Sequence, residues 1–81
     1  MNPRVRSVSA QPDYVLALEF DNGERRVCDA SRWLGRGDFR RLRDPERFSE
    51  ARVQDGAVAW PGGLDLSWDT LYLRSEPVDA E

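Results

Sequence analysis

The stretch Trp60-Pro61-Gly62-Gly63-Leu64-Asp65-Leu66-Ser67-Trp68-Asp69-Thr70-Leu71-Tyr72 constrains this chain more than any other. Pro61 presets φ for the second residue of a tight turn, and Gly62 supplies the positive φ that a type II turn requires next. Leu64 and Leu66 then share one face of a short strand, with Asp65 on the other. Ser67 is a good helix N-cap, and Leu66 before it can staple onto Leu71. The stretch predicts strand, turn, strand and helical turn. It specifies architecture rather than chemistry.

The same rules extend to the rest of the chain. Arg4-Val5-Arg6-Ser7-Val8-Ser9 reads as an edge strand whose arginines discourage edge-to-edge pairing, and Gln11-Pro12-Asp13 as a turn. Tyr14, Leu16, Leu18 and Phe20 alternate with Val15, Ala17 and Glu19, the pattern of a strand with one buried face. Asn22-Gly23 predicts a two-residue type I′ hairpin. That register sets Phe20 opposite Arg25 and Leu18 opposite Val27, with Val27 in the core and Arg26 and Cys28 facing away. A second hairpin at Asp55-Gly56 sets Val53 opposite Val58 and Ala51 opposite Trp60.

Short helical turns are predicted near residues 31–34, 39–42, 45–48 and 68–71. Asp29 or Ser31 caps the first, and Asp44 before Pro45 caps the third. None is stable alone, so Trp33, Phe39, Leu42 and Phe48 must be pinned by the sheet. The expected fold is a small single α+β domain over residues 1–75, with five or six antiparallel strands, followed by a frayed acidic tail at 76–81. The expected core is Leu16, Leu18, Phe20, Val27, Phe39, Leu42, Phe48, Val53, Val58, Trp60, Leu66 and Leu71.

What the chain lacks narrows its chemistry. It has 81 residues with one cysteine, Cys28, and no histidine, and all twelve of its basic residues are arginine. Ser-His-Asp, Cys-His, Ser-Lys and Schiff-base catalysis therefore have no partners within it. Zinc and most transition-metal sites are equally short of ligands. The expectation is a protein that is not an enzyme and needs no cofactor. Cys28 reads as half-buried filler rather than a reactive thiol. A lone cysteine, with no signal-peptide run and no apolar segment of about 20 residues, points to the cytoplasm.

Two features leave room for binding. Asp29, Asp65 and Asp69 lie near element ends, where capping accounts for them; a carboxylate-held Mg²⁺ or Ca²⁺ at Asp65 and Asp69 is the rival reading. Residues 32–52 carry seven arginines against four acids, a net +3 within a chain of net −3. The remainder has five arginines against eleven acids, a net −6. This asymmetry nominates Arg36, Arg40 and Arg43, with Trp33 and Trp68, as a partner-binding set. The same arginines interleaved with aromatics also admit a nucleic-acid accessory role, although the sequence has no helix-turn-helix pattern and its pI is near 4.9. Trp33 or Trp68 could equally serve a homodimer.

The ordered pieces Leu16-x-Leu18-x-Phe20, Asn22-Gly23-Glu24, Val27-Cys28-Asp29, Gly37-Asp38-Phe39 and Asp44-Pro45-x-x-Phe48 lead to a more specific run. That run is Val58-Ala59-Trp60-Pro61-Gly62-Gly63-Leu64-Asp65-Leu66, followed by Leu71-Tyr72. Together they resemble the small bacterial domain-of-unknown-function family 2442. The resemblance implies a compact α+β domain with no established activity. It also implies a setting in which some members are fused to a helix-turn-helix domain and others are encoded beside a small partner, as toxin–antitoxin pairs are. Trp68 departs from the pattern, standing where proline is common. The functional expectation is a non-enzymatic protein-interaction domain, the antitoxin-like or regulatory half of a two-protein pair.

Overall fold

Among the described residues, seven strands and a few short helical turns surround a hydrophobic core. The computed structural model describes residues 2–78. A four-stranded antiparallel sheet runs in the order β1 (Val5–Gln11), β2 (Val15–Phe20), β3 (Arg25–Asp29) and β7 (Glu76–Pro77). A three-stranded antiparallel sheet consists of β4 (Arg52–Gln54), β5 (Ala57–Trp60) and β6 (Leu64–Leu66). The Val5 amide donates to the Gly56 carbonyl at 2.9 Å, joining the edge of the first sheet to the tip of the β4–β5 hairpin. Short 3-10 turns at Ala30–Trp33 and Gly37–Arg43, helix α1 (Pro45–Phe48) and helix α2 (Trp68–Arg74) complete the α+β fold.

The stretch from Trp60 to Tyr72 folds as its residues predict. Gly62 has φ +96°, and Leu64 and Leu66 are buried while Asp65 is exposed. The Ser67 hydroxyl accepts from the Thr70 amide at 3.2 Å, capping α2. Asp29 accepts from the Ser31 amide and Asp44 from the Glu46 amide, capping the other two turns. In the second hairpin, Val53 faces Val58 as expected. Asp55 and Gly56 have φ +54° and +82°, the paired positive φ of a type I′ turn. The ladder closes at Arg52 opposite Ala59, so Ala51 and Trp60 are not paired.

The first hairpin differs from expectation by one residue. Its loop has three residues, Asp21-Asn22-Gly23. Phe20 donates its amide to the Glu24 carbonyl, and Gly23 donates to Phe20, both at 2.9 Å. Only Gly23 takes positive φ, at +90°. The Asn22 side chain accepts from the Glu24 amide at 3.0 Å, so asparagine stabilises the loop through its amide oxygen rather than a left-handed backbone. The register is therefore Leu16 to Cys28, Ala17 to Val27 and Leu18 to Arg26. Because side chains alternate with period two, the shift reverses every face in β3. Val27 is 38% exposed, and Cys28 is buried at 1%. Arg26 turns to the inner side.

The end of the chain corrects the predicted tail. Glu76 and Pro77 pair with Val27 and Arg26, and the Val78 amide donates to the Arg25 carbonyl at 2.9 Å. Ser75 is buried. The inward Arg26 holds this end: its Nε donates to Ser75 Oγ at 2.6 Å and its Nη2 to the Ser75 carbonyl at 2.8 Å. Its guanidinium also lies 4.4 Å from the Tyr72 ring centroid. Residues 79–81 of the expected tail lie outside the described residues.

The core holds nine of the expected residues, from Leu16 through Leu71, as well as Val5, Cys28, Ala30, Leu34 and Leu64. Phe39 and Val53 pack against it, half-buried. Tyr14 precedes the strand rather than opening it. It and Asp13 take φ +63° and +64° in the 3-10 turn Pro12–Tyr14. The Tyr14 ring meets Phe48 edge-on at 5.4 Å and its hydroxyl donates to the Arg43 carbonyl. These contacts hold a backbone conformation that side chains of this size rarely adopt.

Candidate functional site

The arginine-rich segment follows β3, and the structure sorts its side chains. Arg41 folds over the Pro61-Gly62 turn, and its Nε donates to the Asp38 carbonyl at 3.4 Å. Arg47 pairs with Asp44 at 3.8 Å, an exposed contact worth little. The Arg43 guanidinium turns back toward Gly35, while Arg40 is exposed on the Gly37–Arg43 turn. Those arginines are accounted for by packing, pairing or solvent.

Arg32 and Arg36 behave differently. With Trp33, and with Arg74 from the end of α2, they line one hollow of about 210 Å³. The Asp29 cap sets the direction of the Ala30–Trp33 turn, and its carboxyl is held below the usual range chiefly by the Ser31 hydroxyl, then by the Ser31 amide. The turn buries Ala30 and Leu34, leaves Arg32 exposed, and packs Trp33, partly buried, against the core. The Arg32 guanidinium lies 5.8 Å from the Trp33 ring centroid. Helix α2 brings Arg74 alongside: Cys28 Sγ lies 3.8 Å from the Arg74 carbonyl oxygen. Among the described residues, none of the three guanidiniums has a carboxylate at ion-pair distance.

Of the nominated partner-binding set, the structure brings Trp33 and Arg36 together and places Arg43 beside the adjoining Gly35. Arg40 and Trp68 do not line the hollow. Trp68 sits at the start of α2, half-buried, with the Arg4 guanidinium 4.7 Å from its ring. Sequence reasoning missed Arg74, which is 38 residues from Arg36 and outside the arginine-rich segment. A cation in the last turn of a helix was its only local signal. Arg32 lay within the basic segment but had nothing to distinguish it from its neighbours.

The other candidates are quieter. Asp65 is exposed on β6, and Asp69 accepts from the Asn2 side chain at 3.1 Å. Among the described residues no three acidic or thiol groups gather as metal ligands. Cys28 is fully buried rather than half-buried, and burial pushes its thiol up to about 11, against a smaller opposing effect of Arg32. A folded-state value above the unfolded one contributes stability that is complete below pH 9 and is lost as pH rises toward 11. Native protein is therefore expected to resist a thiol reagent at neutral pH and to react at the rate of global opening. Its urea midpoint should fall between pH 9 and 11, and fall less in Cys28→Ala. Rapid labelling of the folded protein would contradict this placement.

A sequence model of the family described as "Protein of unknown function (DUF2442)" matches residues 5–77, from the first residue of β1 to the last of β7. The chain belongs to the DUF2442 family. No curated protein and no solved structure matches it. The match spans both sheets and includes the closing strand, so this DUF2442 domain extends two residues past the boundary at 75 expected from sequence. No helix among its described residues is long and apolar enough to cross a membrane.

Proposed function

We propose that this DUF2442 domain is a non-enzymatic, cytoplasmic protein-interaction module, the antitoxin-like or regulatory half of a two-protein pair. The observation that carries the reading is the gathering of Arg32, Arg36 and Arg74 around Trp33. In a chain of net charge −3, three cations around one aromatic form a local field opposite to the molecule's own. Such a face steers and orients an acidic partner, and arginine and tryptophan are among the residue types enriched where binding energy concentrates. The absence of histidine and lysine supports a role in binding rather than catalysis.

Affinity capture from the native lysate, with and without nuclease, tests this. The expected result is a stoichiometric acidic protein that survives nuclease and is lost when Arg32, Arg36 and Arg74 are changed to Glu. Recovery of nucleic acid alone would replace the reading with a nucleic-acid accessory role. Light scattering on the pure chain comes first, because a homodimer through Trp33 or Trp68 would occupy the same kind of surface.

A further inference from the structure

We infer that the hollow between the Ala30–Trp33 turn and the C-terminal end of α2 is a binding site for the phosphate group of a small ligand. Three like charges drawn together repel one another; Asp29 attracts Arg32 from beyond ion-pair distance, and no carboxylate among the described residues pairs directly with any of the three. A single carboxylate is satisfied by one guanidinium fork. Three guanidiniums offer far more N–H donors than two carboxylate oxygens can accept, and more charge than one carboxylate supplies. A phosphate has three or four acceptor oxygens and up to two negative charges, which suits several forks at once. The hollow, at about 210 Å³, has room for a phosphate or pyrophosphate, and Trp33 forms part of its wall. That indole is partly buried against the core, and the part of it that lines the hollow could stack a planar group attached to the phosphate.

Three of the four lining residues stand on anchored elements. Arg32 and Trp33 stand on a turn capped by Asp29 and anchored by buried Ala30 and Leu34. Arg74 stands on α2, which is fixed by buried Leu71 at 0% exposure and by the Arg26–Ser75 contacts just beyond it. The inference concerns the same face as the interaction reading and rests on its cluster of arginines, so a phosphate ligand and an acidic partner would compete there. It is tested on the purified chain alone, so its failure leaves the capture result untouched, and a failed capture leaves it untouched in turn.

The test is titration of the full chain with inorganic phosphate, pyrophosphate and AMP at low salt. Calorimetry and the indole N–H resonance of Trp33, assigned through Trp33→Phe, report binding. Saturable binding of pyrophosphate is expected, with a shift of the Trp33 resonance. Arg36→Gln and Arg74→Gln should each weaken it about tenfold, the loss of one charge-assisted contact. Arg52→Gln, which removes the same charge elsewhere, should leave it nearly unchanged. Tighter binding of AMP than of phosphate identifies a ring-bearing ligand stacked on Trp33; equal binding identifies the phosphate alone, and both support the site. Equal weakening by Arg52→Gln would reduce the effect to bulk charge and overturn the inference. So would preference for a hexaglutamate peptide over pyrophosphate, or no saturation at millimolar pyrophosphate.

Discussion

Trp60→Ala is expected to destabilise the fold by about 3–5 kcal/mol, a large share of what a domain of 81 residues has to lose. Trp60 is 2% exposed, meets Phe39 edge-on at 6.3 Å and lies against Phe48 at 6.0 Å. Its Nε1 donates to the Phe48 carbonyl at 3.0 Å, so one side chain ties β5 to α1 by both packing and a buried hydrogen bond. Truncation removes the ring and leaves that carbonyl with only the longer contact from the Ala51 amide, at 3.3 Å. Trp60→Phe keeps most of the packing but not the hydrogen bond, and should cost about 1–3 kcal/mol. Urea unfolding measures both. An unchanged midpoint in Trp60→Ala would show that the ring does not hold the two elements together.

Arg26→Ala should cost about 2–4 kcal/mol, chiefly by leaving the buried Ser75 carbonyl without its donor and removing the cation from the Tyr72 face. The Arg26 side chain is only 14% exposed, whereas Glu24, its ion-pair partner at 3.4 Å, is 41% exposed. The ion pair is therefore the smaller part of the loss. Tyr72 closes the arrangement by donating to Glu24 at 3.2 Å, and this hydrogen bond is the main cause of its raised pKa. The loss should be local before it is global. Hydrogen exchange at Val27 and Val78 should accelerate as β7 detaches, while exchange in β5 stays slow. Arg26→Lys should rescue little, because an ammonium cannot serve Ser75 Oγ and its carbonyl with one planar fork. Exchange unchanged at Val78 would show that β7 holds without Arg26.

Where physics is local, the sequence was sufficient. The Ser67, Asp29 and Asp44 caps, the Asp55-Gly56 turn and the faces of Leu16, Leu18, Phe20, Leu64 and Leu66 each depend on residues within a few positions of one another. The clustering of arginine in residues 32–52 was equally legible, and it contained two of the three cations of the hollow. Tertiary structure decided the register of the first hairpin and, with it, the site. Asn22-Gly23 is compatible with a loop of two or three residues, and local preference together with the apolar character of Val27 favours two. The fold adopts three because Arg26, turned inward, meets Ser75 and Tyr72 from 49 and 46 residues away. Cys28 fills the core in place of Val27. Those partners exist only once α2 has packed beside β3, and the same packing carries Arg74 to Arg32, Trp33 and Arg36. A charge at the end of one short helix and two beside a distant turn share no periodicity or spacing, so only the folded chain could bring them into one place.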